Sequence, residues 1–135
     1  MTNAERADRL FAEARLVGAE MRRTLDAGGW NLAARRAQEV LELVIKALLN
    51  EMGVEYPRTH DPAPVLASTV RARGLEVDAP FLEWLSGLSA ELEKIRSPAF
   101  YQEIVVTETQ ARTAVQGAER ALDFGRSLLE RLRRA

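Results

Sequence analysis

Few side chains in this 135-residue chain have types and spacings suited to chemistry at neutral pH. The one histidine, His60, sits in Arg58-Thr59-His60-Asp61, just ahead of a helix start. An imidazole there can hydrogen-bond to backbone and a neighbouring carboxylate. It can also face a ligand at the dipole-positive end of that helix, where anions bind well. Lys46 follows Glu42 by four residues, the favourable order for a helical ion pair. The sharper role for Lys46 is to reach a phosphate between helices. Arg96 stands directly before Ser97-Pro98-Ala99-Phe100-Tyr101. A cation there either complements a helix C-terminus or serves a site at the helix-to-loop junction. The pairs Arg22-Arg23 and Arg35-Arg36, and the run from Arg131 to Arg134, read as solvated helix faces, with nucleic-acid binding as the residual alternative.

Several chemistries lack their residues. Without cysteine there is no disulfide scaffold and no thiolate metal site. One histidine and no Glu-x-x-His motif argue against a His-carboxylate metal centre, so neither metal nor other cofactor is expected. No Gly-x-Ser-x-Gly nucleophile elbow and no Gly-rich phosphate loop occur, and Gly28-Gly29 reads as a turn between helices. A net charge of -1 gives no global attraction to nucleic acid. No apolar run approaches the ~20 residues of a membrane span, and the polar start Met1 to Arg6 has no signal-like core. A single cytoplasmic domain over residues 1–135 is therefore expected, with no membrane association.

The elements that must position these residues are helices. The spacing predicts a first helix over about 4–27, with Thr2 and Glu5 as a capping box and Leu10, Ala14, Val17, Met21 and Leu25 on one stripe. A second helix over about 31–52 carries the widest apolar face: Ala37, Val40, Leu41, Val44, Ile45, Leu48 and Leu49. It should be the most central. Asp61 and Pro62 look like the cap and first residue of a short third helix that stops at Gly74. Asp78 and Pro80 start a fourth, which Ser97-Pro98 should end near Arg96. Ile104-Val105-Val106 could be a short extended piece. Thr107 and Gln110 then open a last helix to about Arg133, with a stripe of small residues: Ala111, Ala114, Ala118, Ala121 and Gly125. The expected architecture is all-α, an antiparallel up-and-down bundle of four long helices plus one short helix.

The stretch Ala33-Ala34-Arg35-Arg36-Ala37-Gln38-Glu39-Val40 through Leu49 resembles the second helix of HEPN domains (higher eukaryotes and prokaryotes nucleotide-binding). Pro57-Arg58-Thr59-His60-Asp61 resembles that family's turn into its third helix. Leu88-Ser89 through Arg96, then Tyr101, is similar to its Leu-Ser…Arg…Tyr segment, and Thr107 to Ala111 to the start of its last helix. The resemblance covers nearly the whole chain in the right order. It implies a helical bundle that forms a homodimer. It also implies a separately encoded partner, a minimal nucleotidyltransferase subunit, in a two-component, toxin–antitoxin-like system. A nucleotide or RNA is the implied ligand, with Lys46, His60 and Arg96 as candidate nucleotide-binding residues.

Many members of that family are ribonucleases whose active site pairs an arginine with a histidine a few residues further on. Here the corresponding positions after Arg96 are Tyr101, Gln102 and Glu103, and none is histidine. Cleaving RNA without metal needs one group to take the 2′-hydroxyl proton and another to protonate the leaving oxygen. Imidazole does both because its pKa is roughly 6.5, whereas tyrosine, at roughly 10, is a poor base at neutral pH. Arg96 alone stabilises charge. The reading is therefore a non-catalytic module. A divergent ribonuclease toxin using Arg96 with Tyr101 or His60, and a ligand-free structural protein, are the alternatives.

Overall fold

The computed structural model describes residues 1–135 and contains five helices: α1 (Asn3–Asp26), α2 (Trp30–Glu51), α3 (Ala63–Ala72), α4 (Ala79–Phe100) and α5 (Glu108–Arg134). No strand accompanies them, and four helices are long and one short, as the periodicity predicts. No helix is long and apolar enough to cross a membrane.

Local chemistry accounts for most of the helix ends. Thr2 Oγ1 accepts from the Glu5 N–H while the Glu5 carboxylate accepts from the Thr2 N–H, a complete capping box for α1. Thr107 and Gln110 make the same reciprocal pair at α5. At α4, Asp78 accepts from the Phe81 N–H. Gly28, with φ of 82°, turns the chain sharply between α1 and α2 in a conformation that costs glycine little.

Packing makes α2 the hub, in contact with all four other helices. Its apolar face is buried from Ala33 to Leu49. The small stripe of α5 is buried as well, and α2 is its main neighbour, so the stripe is used within the protomer. Gly125 shows why those residues are small. A Cβ there would lie 2.6 Å from Val44 Cγ1 and 3.1 Å from Phe11 Cε2, so α1, α2 and α5 meet at a separation no larger residue permits.

Three expectations are corrected. α4 does not stop at Arg96 but runs on to Phe100 with Pro98 inside it. Proline removes one helical hydrogen bond and crowds the carbonyl four residues back, here that of the exposed Lys94. The loss falls one turn from the helix end, and burial of Ala99 together with a hydrogen bond from Asn31 Nδ2 to the Ala99 carbonyl (3.2 Å) holds the last turn in place. Asp61 does not cap α3. Pro62 occupies the cap position, and the Asp61 carboxylate instead accepts from the buried Ser89 hydroxyl of α4 at 2.6 Å. Ile104-Val105-Val106 is not a strand. It forms the turn into α5, with Val105 exposed and Val106 buried.

The charge runs are also less free than solvated faces would be. Arg22 pairs with Glu119 of α5, Arg36 with Glu20 (3.6 Å) and Glu39 (3.3 Å), and Arg133 with Asp8 (3.0 Å) and Glu51 (2.8 Å). Arg131 donates to the Glu76 carbonyl. These contacts tie the helices to one another.

Two glycines are expected to respond oppositely to alanine. Gly125→Ala overpacks the α1–α2–α5 contact and should cost about 1–3 kcal/mol. Gly87→Ala, in an exposed stretch of α4 with nothing within 4 Å of the new methyl, should stabilise by about 0.5–1 kcal/mol. Denaturant unfolding of both variants measures the difference.

Candidate functional site

The antiparallel packing of α2 and α4 brings the start of one beside the end of the other. A cleft of about 330 Å³ lies there, lined by Arg35 of α2 and by Arg96, Ser97, Phe100 and Tyr101 of α4 and its end. The Arg35 guanidinium stacks over the Phe100 ring, 4.6 Å from its centroid. Phe100 and Tyr101 meet edge to face at 5.0 Å, and both are more than half exposed.

Desolvation lowers the pKa of Arg35, and the positive charges of Arg36 and Arg96 push it the same way. Glu39 acts in the opposite direction but is itself paired with Arg36. Neither Arg35 nor Arg96 has an ion-pair partner. A guanidinium stays charged in such surroundings. The cleft therefore holds two mutually repelling cations beside a hydroxyl and two aromatic rings. An anion would relieve the repulsion, and phosphate suits the forked donors of arginine. A planar base can stack on the rings.

Asn31, one turn before Arg35, does not line the cleft but ties α2 to the chain that leaves the end of α4. Its Nδ2 donates to the carbonyls of Ala99 (3.2 Å) and Ile104 (2.9 Å), and its Oδ1 accepts from the Val106 N–H at 2.8 Å. Gln102 completes the turn in the left-handed region at φ 57°. There the Glu103 N–H reaches the Pro98 carbonyl, a helix-ending arrangement that usually employs glycine.

A second cluster lies further along the α2–α4 seam, centred on Glu42. Lys46 Nζ donates to Glu42 Oε2 at 2.6 Å, the ion pair that the sequence spacing predicts. Gln38 Nε2 donates to Glu42 Oε1 (3.0 Å) and to the His60 carbonyl (2.9 Å). His60 Nδ1 lies 2.9 Å from Glu42 Oε1. An ionised carboxylate only accepts, so Nδ1 carries the hydrogen. Gln38 is buried, and its Oε1 has no hydrogen-bond partner. Burial alone would raise the pKa of Glu42, but the hydrogen bonds from Lys46, Gln38 and His60 outweigh it and hold the carboxyl below its usual range.

The candidate residues thus divide. Arg96 and Tyr101 share the cleft, whereas Lys46 and His60 share the Glu42 carboxylate and do not line it. His60 bonds to Glu42 of α2 rather than to its neighbour Asp61, whose carboxylate Ser89 occupies. Sequence reading took Arg35 only as part of a charge run, with nucleic-acid binding as the residual alternative, and gave Asn31 no role. The signal for Arg35 lay in the topology, since an antiparallel α2–α4 pair sets its start against Arg96. Nothing in the sequence singles out Asn31.

This is an all-α bundle with an arginine-lined cleft at one end of the α2–α4 seam. A family model of the HEPN domain matches residues 7–128, and the chain belongs to that family. It is similar to the crystal structure of ST0689, an archaeal HEPN homologue, with a TM-score of 0.68 and 21% identity over 91% of this chain and 97% of that one. At that identity the likeness speaks for the fold alone. No curated protein matches the chain.

The depressed pKa of Glu42 has a consequence for acid stability. Its stabilising contribution is complete above the ordinary value of 4.5 and is lost as pH falls through the lower folded-state value. Glu42→Gln should therefore be less stable than wild type at neutral pH, and the gap should narrow below pH 4.5. Denaturant midpoints across that range measure it, and a gap independent of pH would refute this role.

Proposed function

We propose that this protein is a non-catalytic HEPN module that dimerises, holds the phosphate of a nucleotide between Arg35 and Arg96, and docks on a minimal nucleotidyltransferase subunit in a two-component, toxin–antitoxin-like system. The observation that carries the reading is the make-up of the cleft. Two arginines without carboxylate partners, Arg35 and Arg96, line it with a serine and two rings and no imidazole, while His60 is engaged by Glu42 elsewhere on the seam. That constellation binds and orients a phosphate ester but lacks a proton-transfer group suited to neutral pH.

Dimerisation is supported by exposed apolar side chains beside the cleft: Phe100, Tyr101, Ile104 and Val105. Exposed apolar side chains gathered at the end of one helix suit an interaction surface. The nucleotidyltransferase partner is the expectation that the HEPN resemblance carries, and co-expression with such an enzyme encoded beside it tests that expectation. Failure to co-purify would remove that part of the proposal.

One observation favours the second reading, a divergent ribonuclease toxin: Tyr101 shares the cleft with Arg96. The two readings separate cleanly. On the first, purified protein leaves RNA intact. A nucleotide at ~100 times its dissociation constant then adds about 2.7 kcal/mol of stability in a thermal-shift or denaturant assay. Arg35→Ala and Arg96→Ala should each abolish most of that increment. Metal-independent RNA cleavage that Arg96→Ala abolishes would instead establish the nuclease.

A further inference from the structure

The two polar clusters on the α2–α4 seam have matching positions. Arg35 and Glu42 are seven residues apart on α2, and Ser89 and Arg96 are seven apart on α4. Seven residues are close to two helical turns, so each pair lies on one face of its helix, about 10 Å apart along the axis. The helices run antiparallel, and Arg35 and Arg96 line one cleft. Glu42 and Ser89 are therefore opposed two turns further along, and the His60–Asp61 turn lies between them. Gln38 and Glu42 of α2 grip His60 through its carbonyl (2.9 Å) and its ring (2.9 Å). Asp61, the next residue, grips Ser89 of α4 at 2.6 Å. Asp61 is itself braced by its N–H on Thr59 Oγ1 at 3.1 Å.

We propose that the His60–Asp61 turn is a strut between α2 and α4 that sets the spacing of Arg35 and Arg96, making Glu42, His60, Asp61 and Ser89 positioning residues for the phosphate cleft. The proposal rests on the reading that this cleft takes a phosphate. Four observations support it. Ser89 is 3% exposed on the buried face of α4 that it shares with Leu82, Leu85 and Leu92, where a hydroxyl is costly to bury unless a partner offsets its desolvation. The bond it donates ends on a carboxylate and is short, the stronger kind. Arg35 and Arg96 repel and no protein carboxylate bridges them, so something other than their own attraction must keep them together. Asn31 ties α2 to the end of α4 on the other side of the cleft, so the arginine pair is held from both directions.

The test uses the full chain. With no native cysteine, Arg35→Cys and Arg96→Cys accept one spin label each, and pulsed dipolar spectroscopy reads their separation. Adding Ser89→Ala, or His60→Ala where burial of position 89 makes the first variant fold poorly, should broaden or shift the distance distribution. Asp61→Ala should do the same, and Asp61→Asn, which keeps an oxygen for Ser89, should restore it. A distribution that none of these changes moves overturns the strut.

With the arginines in place, Ser89→Ala should weaken adenosine 5′-monophosphate binding roughly 3- to 10-fold. In an Arg35→Ala background it should cause no further loss. Equal losses in both backgrounds would mean that Ser89 acts on general stability, which also overturns the proposal. If wild-type protein binds no nucleotide while the label distances still respond to Ser89→Ala, the strut stands and the phosphate reading falls.

Discussion

Two guanidinium groups face one cleft with no carboxylate between them. That repulsion is a cost to the fold, reduced by solvent because Arg96 is exposed. Among the arginines that the sequence presents in clusters, Arg22, Arg36 and Arg133 have carboxylate partners, whereas Arg23 and Arg134 have none. What distinguishes Arg35 and Arg96 is that both line one cleft.

The arrangement depends on α2. Its apolar face seats α1, α4 and α5, and its polar edge carries Asn31, Arg35, Gln38, Glu42 and Lys46 at helical spacing. The hydrophobic and functional roles of this helix are therefore inseparable, since rotating it to improve one would misplace the other. Close packing against the small stripe of α5 fixes that rotation, and Gly125 against Val44 leaves little freedom to slide. The cleft lies at an end of the seam, where α4 finishes in an exposed turn. Rings that would be buried in mid-bundle remain available to a ligand or to a second protomer.

On the proposed reading the cleft holds a phosphate without moving a proton, since arginines, a serine and two rings line it and no imidazole does. An arginine can hold a phosphate and stabilise charge developing on it, but moving a proton needs a group that exists in both forms near neutral pH. His60 has the right chemistry in a different place. Glu42 holds its Nδ1, and its backbone carbonyl is held by Gln38, so ring and main chain are both committed to bridging helices.

Helix existence, the capping boxes, the central rank of α2, the Lys46–Glu42 pair and the family resemblance were all legible in the amino-acid sequence. Each depends on contacts within a few residues or on a periodic apolar face, which a linear text records. The tertiary structure alone decided three matters. It carried α4 through Pro98, because the buried Ala99 and its bond to Asn31 outweigh one lost helical hydrogen bond. It turned Asp61 from a cap into a partner for Ser89, because a buried hydroxyl on another helix competes for the same carboxylate. It set Arg35 beside Arg96 and His60 beside Glu42. The first pairing is set by the register of two antiparallel helices and the second, across 18 residues, by the path of the loop between α2 and α3; both are properties of the packed bundle that no local spacing encodes.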